Sequence, residues 1–236
     1  RGVWLFRSRR AGTTVAKRPN PLWGDVRHVT DRVSNPFGME PPCDQFVPGY
    51  GDANADFHVV GDHPGVHGGV DTGVPFTGSA AAERLQTALA DGGLLQSVGD
   101  EPDATGTFLS YLHMCVPEGG TTPTDDAYAE MERYFDAELR AIAAHVLLPV
   151  GEHATRHVLE TYTAQAYRTD VEMDQLHGTE LLGSGWLVLP IKDPTDWADD
   201  DDDRLVEALE TLQATDYRRE SDLGRFLPGG ESYHVR

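Results

Sequence analysis

The chain has 236 residues, enough for one large domain or two small ones with a full core. It is 39% hydrophobic and no apolar run approaches the roughly 18 residues of a membrane helix, so fibrous and membrane-helix classes are excluded. Its 19 basic and 39 acidic residues give a net charge of −20, which argues against a generally basic nucleic-acid binder. The two cysteines, Cys43 and Cys115, rule out a disulfide framework and an all-cysteine zinc site.

Residues 1–34 carry eight bases against Asp25 and Asp31, a net of +6. They show no clear period, and Val3-Trp4-Leu5-Phe6 is too short for a signal-peptide core. A disordered basic N-terminal extension, apart from the fold, is expected there. Residues 35–236 form the expected single domain, with a net charge of −26 and an acidic C-terminal region. Only Lys17 and Lys192 are lysines, and acids occur in nearly every segment. A basic partner would ask for one acidic patch. An even spread fits a halophilic cytoplasm, where the screening length shrinks to about 3 Å and self-repulsion is small.

Prolines and glycines from Pro36 to Gly51 mark a long loop. Phe57–Val60 reads as a buried strand closed by Gly61. A glycine-rich stretch, Gly61–Gly78, follows, then a helix over Ala80–Ala90 with Ser79 placed to cap it. Thr107–Val116 is a second strand and Pro117–Pro123 a loop. Thr124 caps a long amphipathic helix over Asp125–Ala144. His145–Val150 is a third strand, Glu152–Tyr162 a helix, Gly185–Ile191 a fourth strand and Asp203–Ala214 a last helix. Alternating strands and helices predict an α/β chain: a three-layer α/β/α sandwich around a central, mostly parallel sheet of about four strands. In such a sheet the site lies beyond the strands' carboxyl ends. Those ends deliver Gly61–Gly78, Cys115–Thr124, Gly151–Glu152 and Lys192–Trp197 to one rim.

The first rim loop is neither a Walker loop nor a dinucleotide fingerprint. Its glycines let backbone approach a ligand closely. It carries titratable Asp62, His63, His67 and Asp71, and one aromatic, Phe76. Gly61, Pro64, His67, Gly68, Thr72, Gly73, Phe76, Thr77 and Gly78 fall at the spacing of a known opening motif, and the stretch resembles the uracil-DNA glycosylases, branches four and five. Val47-Pro48-Gly49 is similar to a segment preceding that family's first strand, Cys115-Val116-Pro117 with Thr122-Pro123 to its cysteine turn, and Leu147–Ala154 to its apolar strand and following glycine.

The resemblance implies hydrolysis of the bond between deoxyribose and uracil or another deaminated base in DNA, with no cofactor needed for the chemistry. The base leaves the stack and enters a pocket. Phe76 holds the family's stacking position. The Gly61–Gly65 backbone would hold an anionic oxygen, and Pro64, His67 and Asp71 would be among the substrate-binding residues. Asp62 or His63 would orient water, and Tyr111 and Asp193 would shape the pocket. DNA with uracil or a damaged base is the expected partner, of a cytoplasmic monomer without a membrane.

Three positions depart from the family. Ser79 stands where an aspartate usually serves the water, Tyr111 where an asparagine reads the uracil edge, and Asp193-Pro194-Thr195 where a histidine opens the last motif. These departures keep open a catalytically inactive nucleic-acid-binding module on the same scaffold, and a hydrolase of free nucleosides. The family's iron–sulfur cluster rests on four cysteines. Cys115 matches one, Cys43 is a candidate for another, and Met131 replaces a third, so neither cluster nor metal is expected. The cysteines read instead as small buried hydrophobes. His153 and His157 share a helix face at zinc-ligand spacing without an evident third ligand. Asp199–Asp203 is expected to favour a helix N-terminus and add solvated charge.

Overall fold

The computed structural model describes residues 33–163 and 170–218. Of the expected N-terminal extension, only Val33 and Ser34 fall inside; the rest lies outside the described residues. The parallel core is β3 (Phe57–Gly61), β4 (Thr107–Tyr111), β5 (Val146–Pro149) and β7 (Trp186–Val188), the four strands the sequence predicts. Residues of β3, β4 and β5 are buried throughout, as strands covered on both faces must be.

Three short antiparallel strands widen the sheet beyond the expected four. They are β1 (Val33–Ser34), β2 (Tyr50–Gly51) and β6 (Leu181–Gly183), giving seven strands in the order β1-β2-β4-β3-β5-β7-β6. β6 joins β7 through Ser184-Gly185, both at positive φ (47° and 92°), the two-residue turn whose twist suits a hairpin.

Helices cover both faces. On one lie α2 (Ala80–Asp91) and α6 (Asp201–Gln213), whose Leu85, Leu89, Leu205, Leu209 and Leu212 pack against Val59, Leu109, Leu148 and Leu187. On the other lie α3 (Asp125–Ile142) and α4 (Gly151–Tyr162), whose Phe135, Leu139, Val158 and Leu159 meet Val60, Leu147 and Val188. Each such side chain, fully buried, contributes roughly 1.5–3 kcal/mol. The expected caps form: Ser79 Oγ accepts from the Ala82 N–H at 3.2 Å, and Thr124 Oγ1 from the Ala127 N–H at 3.3 Å. Two single turns, α1 (Pro64–His67) and α5 (Met173–Leu176), complete the helices.

The second strand is half its expected length for a physical reason. After Tyr111 the chain changes partners: Phe46 bridges Cys115, the Val47 N–H donates to Met114 O, and the Val116 N–H donates to Gln45 O. Residues 39–47 form a strap before β2, and its residues 45–47 are thereby laid across the exit of β4. Cys43 and Cys115, expected as small hydrophobes, are bonded to each other there. Their 72-residue separation gives a chain-entropy stabilisation of about 4 kcal/mol.

The acidic run is less solvated than expected. Asp201 accepts from the Ala198 N–H and Lys192 Nζ, and Asp202 from Arg84, whose guanidinium lies 5.2 Å over the Trp197 ring. These contacts fasten α6 to the β7 exit and α2. Among the described residues, no helix is long and apolar enough to cross a membrane.

Candidate active site at the carboxyl rim

The Gly61–Gly78 loop leaves β3 between β4 and β5 and separates into two walls. The first wall is aromatic. Phe76 is left-handed (φ 59°), a costly conformation for a bulky residue, and its backbone is pinned at both ends. Its N–H donates to the Tyr111 hydroxyl at 2.7 Å, and its carbonyl accepts from Gln86 Nε2 at 2.6 Å. The Tyr111 hydroxyl lies 3.0 Å from both the His67 and Gly68 carbonyls, so its own proton also stays in the loop. Gly68 (φ 87°) passes so close to Thr77 that a Cβ would lie 2.1 Å from the Thr77 carbonyl oxygen.

This wall leaves no open aromatic face. Phe76 and Tyr111 are each 1% exposed, with ring centroids 5.2 Å apart, and His67 lies 5.6 Å from Phe76. The expected base-stacking face of Phe76 is covered by Tyr111. His67 Nδ1 accepts from the Asp62 N–H at 3.0 Å, so the hydrogen facing Asp193 sits on Nε2, 3.3 Å from Oδ2. Asp193 Oδ1 accepts from the Thr195 N–H and hydroxyl. Burial would raise its carboxyl, but the bonds from His67 and Thr195 hold it down at about 2. Gly61 belongs to the same wall: a Cβ there would lie 2.7 Å from the Tyr111 ring and 2.8 Å from His67 Nδ1.

The second wall is polar. Asp62 Oδ1 accepts from the Tyr128 hydroxyl on α3 and from His153 Nδ1 on α4 at 2.9 Å. No described residue donates to Oδ2. Burial alone would raise the Asp62 carboxyl, but hydrogen bonds from His153 and Tyr128 outweigh it and hold the group below its usual range. The same bond raises His153. His63 Nδ1 accepts from the Gly65 N–H at 3.1 Å, which places the ring hydrogen on Nε2. Burial lowers the His63 pKa, so the ring is neutral near pH 7, and Nε2 is buried with no partner among the described residues.

Behind Asp62 a cleft of about 440 Å³ opens between α3 and α4, lined by Asp125, Tyr128, Glu132, His153 and His157. Glu132 accepts from the Tyr162 hydroxyl at 2.6 Å and faces His157 Nε2 at 3.0 Å. Two carboxylates thus each meet one tyrosine and one histidine.

The loop therefore brings Asp62 and His63 together on one wall, and Gly61, His67, Phe76, Tyr111 and Asp193 on the other. Pro64 and Gly65 form the start of α1 between them. Asp71 is exposed at the far turn, and no hydrogen bond joins it to Asp62, His63 or His67. Ser79 caps α2. Of the two histidines at zinc-ligand spacing, His153 bonds Asp62 and His157 faces Glu132; no cluster of metal-binding residues occurs among the described residues. Tyr128, His153 and Gln86 are the positioning residues that the sequence reading missed. Their signal was present: Tyr128 and Glu132 stand four apart on α3, opposite His153 and His157 four apart on α4.

The iron–sulfur cluster that the resemblance implies does not fit this chain. Cys43 and Cys115 are bonded to each other, and Met131, 3.7 Å from Cys115 Sγ, offers a thioether in place of a thiolate.

Comparison with known proteins bears on the same residues. A model of the uracil DNA glycosylase superfamily matches residues 48–213, from just after the strap to the end of α6. A type-5 uracil-DNA glycosylase of Pyrobaculum aerophilum is 33% identical over 119 residues, covering 48% of this chain and 52% of that protein. One of Thermus thermophilus is 30% identical over 157 residues, covering 63% and 71%. A type-4 uracil-DNA glycosylase of Saccharolobus solfataricus is 24% identical over 148 residues, covering 63% and 64%. The chain thus spans about half the length of the Pyrobaculum protein.

Proposed function

The chain belongs to the uracil DNA glycosylase superfamily, and on that premise we propose that it hydrolyses the N-glycosidic bond of uracil or another deaminated base in DNA, with the polar wall as its machinery. The observation that carries this reading is the pairing of Asp62 with His63. Glycosidic cleavage needs a carboxylate for the cation-like sugar and its attacking water, and a donor for the anionic leaving base. Asp62 is an ionised carboxylate with Oδ2 left over, fixed by Tyr128 and His153. His63 is its neighbour in the loop, with an Nε2 hydrogen that no described residue accepts. In this scheme water sits on Asp62 Oδ2, and the His63 ring turns outward so that its Nε2 hydrogen, buried without the substrate, meets the base oxygen on which charge develops. The half-buried Tyr128 ring and the exposed His153 offer faces for the extruded base. His67, Phe76, Tyr111 and Asp193 keep the loop in shape.

The test is incubation, in high salt, with oligonucleotides carrying a single uracil, hypoxanthine or xanthine, followed by an assay for abasic sites. Cleavage that is lost in Asp62→Ala and weakened in His63→Gln is the expected outcome. A second reading, DNA binding without excision, is favoured by Tyr111, which fills the space beside Phe76 where the family's base would enter. Retained binding to the same oligonucleotides with no abasic sites from any of the three bases would replace the first reading by this one.

A further inference from the structure

Three of the chain's four methionines and both its cysteines gather in one place just past the β4 exit. Met114, Cys115 and Met131 form a buried cluster, and Met39 and Cys43 pack against it from the strap, with Phe46 and Tyr134 closing the sides. Met131 Sδ is 3.7 Å from Cys115 Sγ. Elsewhere the chain has one sulfur, Met173. No group of three His, Cys, Asp or Glu residues able to hold a metal occurs among the described residues, so a site here must draw on thioethers.

We infer that this sulfur cluster is a redox-gated site for a single soft monovalent cation of the copper(I) class, closed while Cys43 and Cys115 are bonded and opened when that bond is reduced. Thiolate and thioether sulfur select copper(I) over harder divalent ions, which prefer imidazole or oxygen. The cluster holds two potential thiolates and Met131 beside one of them, in an apolar shell that favours a low-charge, poorly hydrated ion. It cannot hold a four-iron cluster, for want of two thiolates. Cys43 lies on the strap, whose backbone is tied to the β4 exit through residues 45–47 rather than at Cys43 itself, so this thiol can swing aside without unpairing a strand.

The chemistry balances with a phosphine as reductant. The phosphine gives two electrons to the disulfide and takes oxygen from water as its oxide, and each sulfur gains one proton. Copper(I) then displaces the two thiol protons, forming a bis-thiolate complex with Met131 as third ligand.

The experiment is anaerobic competition against the copper(I) chromophore bicinchoninate, using the full chain reduced with a phosphine and freed of it by gel filtration. Thiol titration should count two thiols in the reduced, folded protein and none in the oxidised. The reduced protein should withdraw one equivalent of copper(I) and the oxidised protein none. Met131→Leu, which keeps both thiols and the apolar volume, should weaken binding at least tenfold. Cys43→Ser should abolish it, and circular dichroism identifies a variant that has merely unfolded. The inference is overturned if the reduced protein leaves the chromophore unchanged, if Met131→Leu binds as tightly as the parent, or if zinc(II) binds as tightly as copper(I). It is also overturned if the phosphine releases thiols only on unfolding.

Discussion

The two walls of the rim are built from one loop, and they solve opposite problems. The Phe76 wall is closed: the Tyr111 hydroxyl and Gln86 pin a left-handed aromatic residue, and His67 bonds Asp193 beside it. The Asp62 wall is unsatisfied: a carboxylate with one oxygen fixed and the other left over stands beside a buried imidazole Nε2 that has no partner among the described residues. Polar groups that face each other rigidify a structure, whereas polar groups left over point to a ligand. The division assigns shape to the first wall and chemistry to the second, and substitutions on either side test it.

The largest expected effect is on the unsatisfied wall. Asp62→Asn keeps the volume and removes the charge. Single-turnover excision should fall by about 10²–10⁴-fold, the usual contribution of a positioned acid–base group, with the unfolding midpoint in urea little changed. A loss smaller than tenfold would move the water elsewhere and dissolve the distinction between the walls.

Glu138 supplies the next test, as a carboxylate in the environment Asp62 escapes. It is fully buried on α3, and the backbone of Gly49 beside it only partly offsets that burial. Burial raises its pKa from 4.5 to about 8. The folded state therefore holds a proton that the unfolded state releases above 4.5. Stability from this group is fully present below pH 4.5, declines as pH rises and is lost above about 8, a change on the order of 5 kcal/mol. Denaturant titrations of Glu138→Gln should lack this decline and exceed the wild type at pH 9. Parallel curves for the two proteins would show that burial does not govern this carboxyl.

A smaller effect is expected on the closed wall. Tyr111→Phe removes the hydroxyl that accepts from the Phe76 N–H and leaves that donor buried and unpaired, at a cost of about 1–3 kcal/mol. If excision occurs, it should survive this change within a few fold at temperatures where the variant is folded. Faster excision by Tyr111→Asn would instead show that Tyr111 gates the pocket and that the closed wall also sets specificity.

Sequence periodicity carried most of the fold and only part of the site. The four parallel strands and the caps at Ser79 and Thr124 were legible because buried strands are continuous apolar runs and caps are local chemistry. β1, β2 and β6 were not, since two- and three-residue strands have no period and are fixed by pairing. Asp62 and His63 were legible from their place after β3. Tyr128 and His153 were not joined to them, because they come from sequence positions 66 and 91 residues away. The disulfide was missed for the same reason: two cysteines 72 apart carry no local signal of pairing.

Ser79 gives the smallest and most discriminating test, because it joins the closed wall to α2. The resemblance puts a water-serving aspartate at this position, whereas here its hydroxyl accepts from the Ala82 N–H and its backbone is extended, as an N-cap requires. Ser79→Ala should cost about 1 kcal/mol by urea unfolding and leave excision per folded molecule unchanged. Ser79→Asp should keep the cap, gain a few tenths of a kcal/mol from the positive end of the α2 dipole, and likewise leave excision alone. If Ser79→Asp instead accelerates excision many-fold, water reaches the base past Phe76, and the closed wall is a site awaiting its carboxylate. An unchanged rate in both variants keeps the water with Asp62, where Tyr128 and His153 already hold a charge in place.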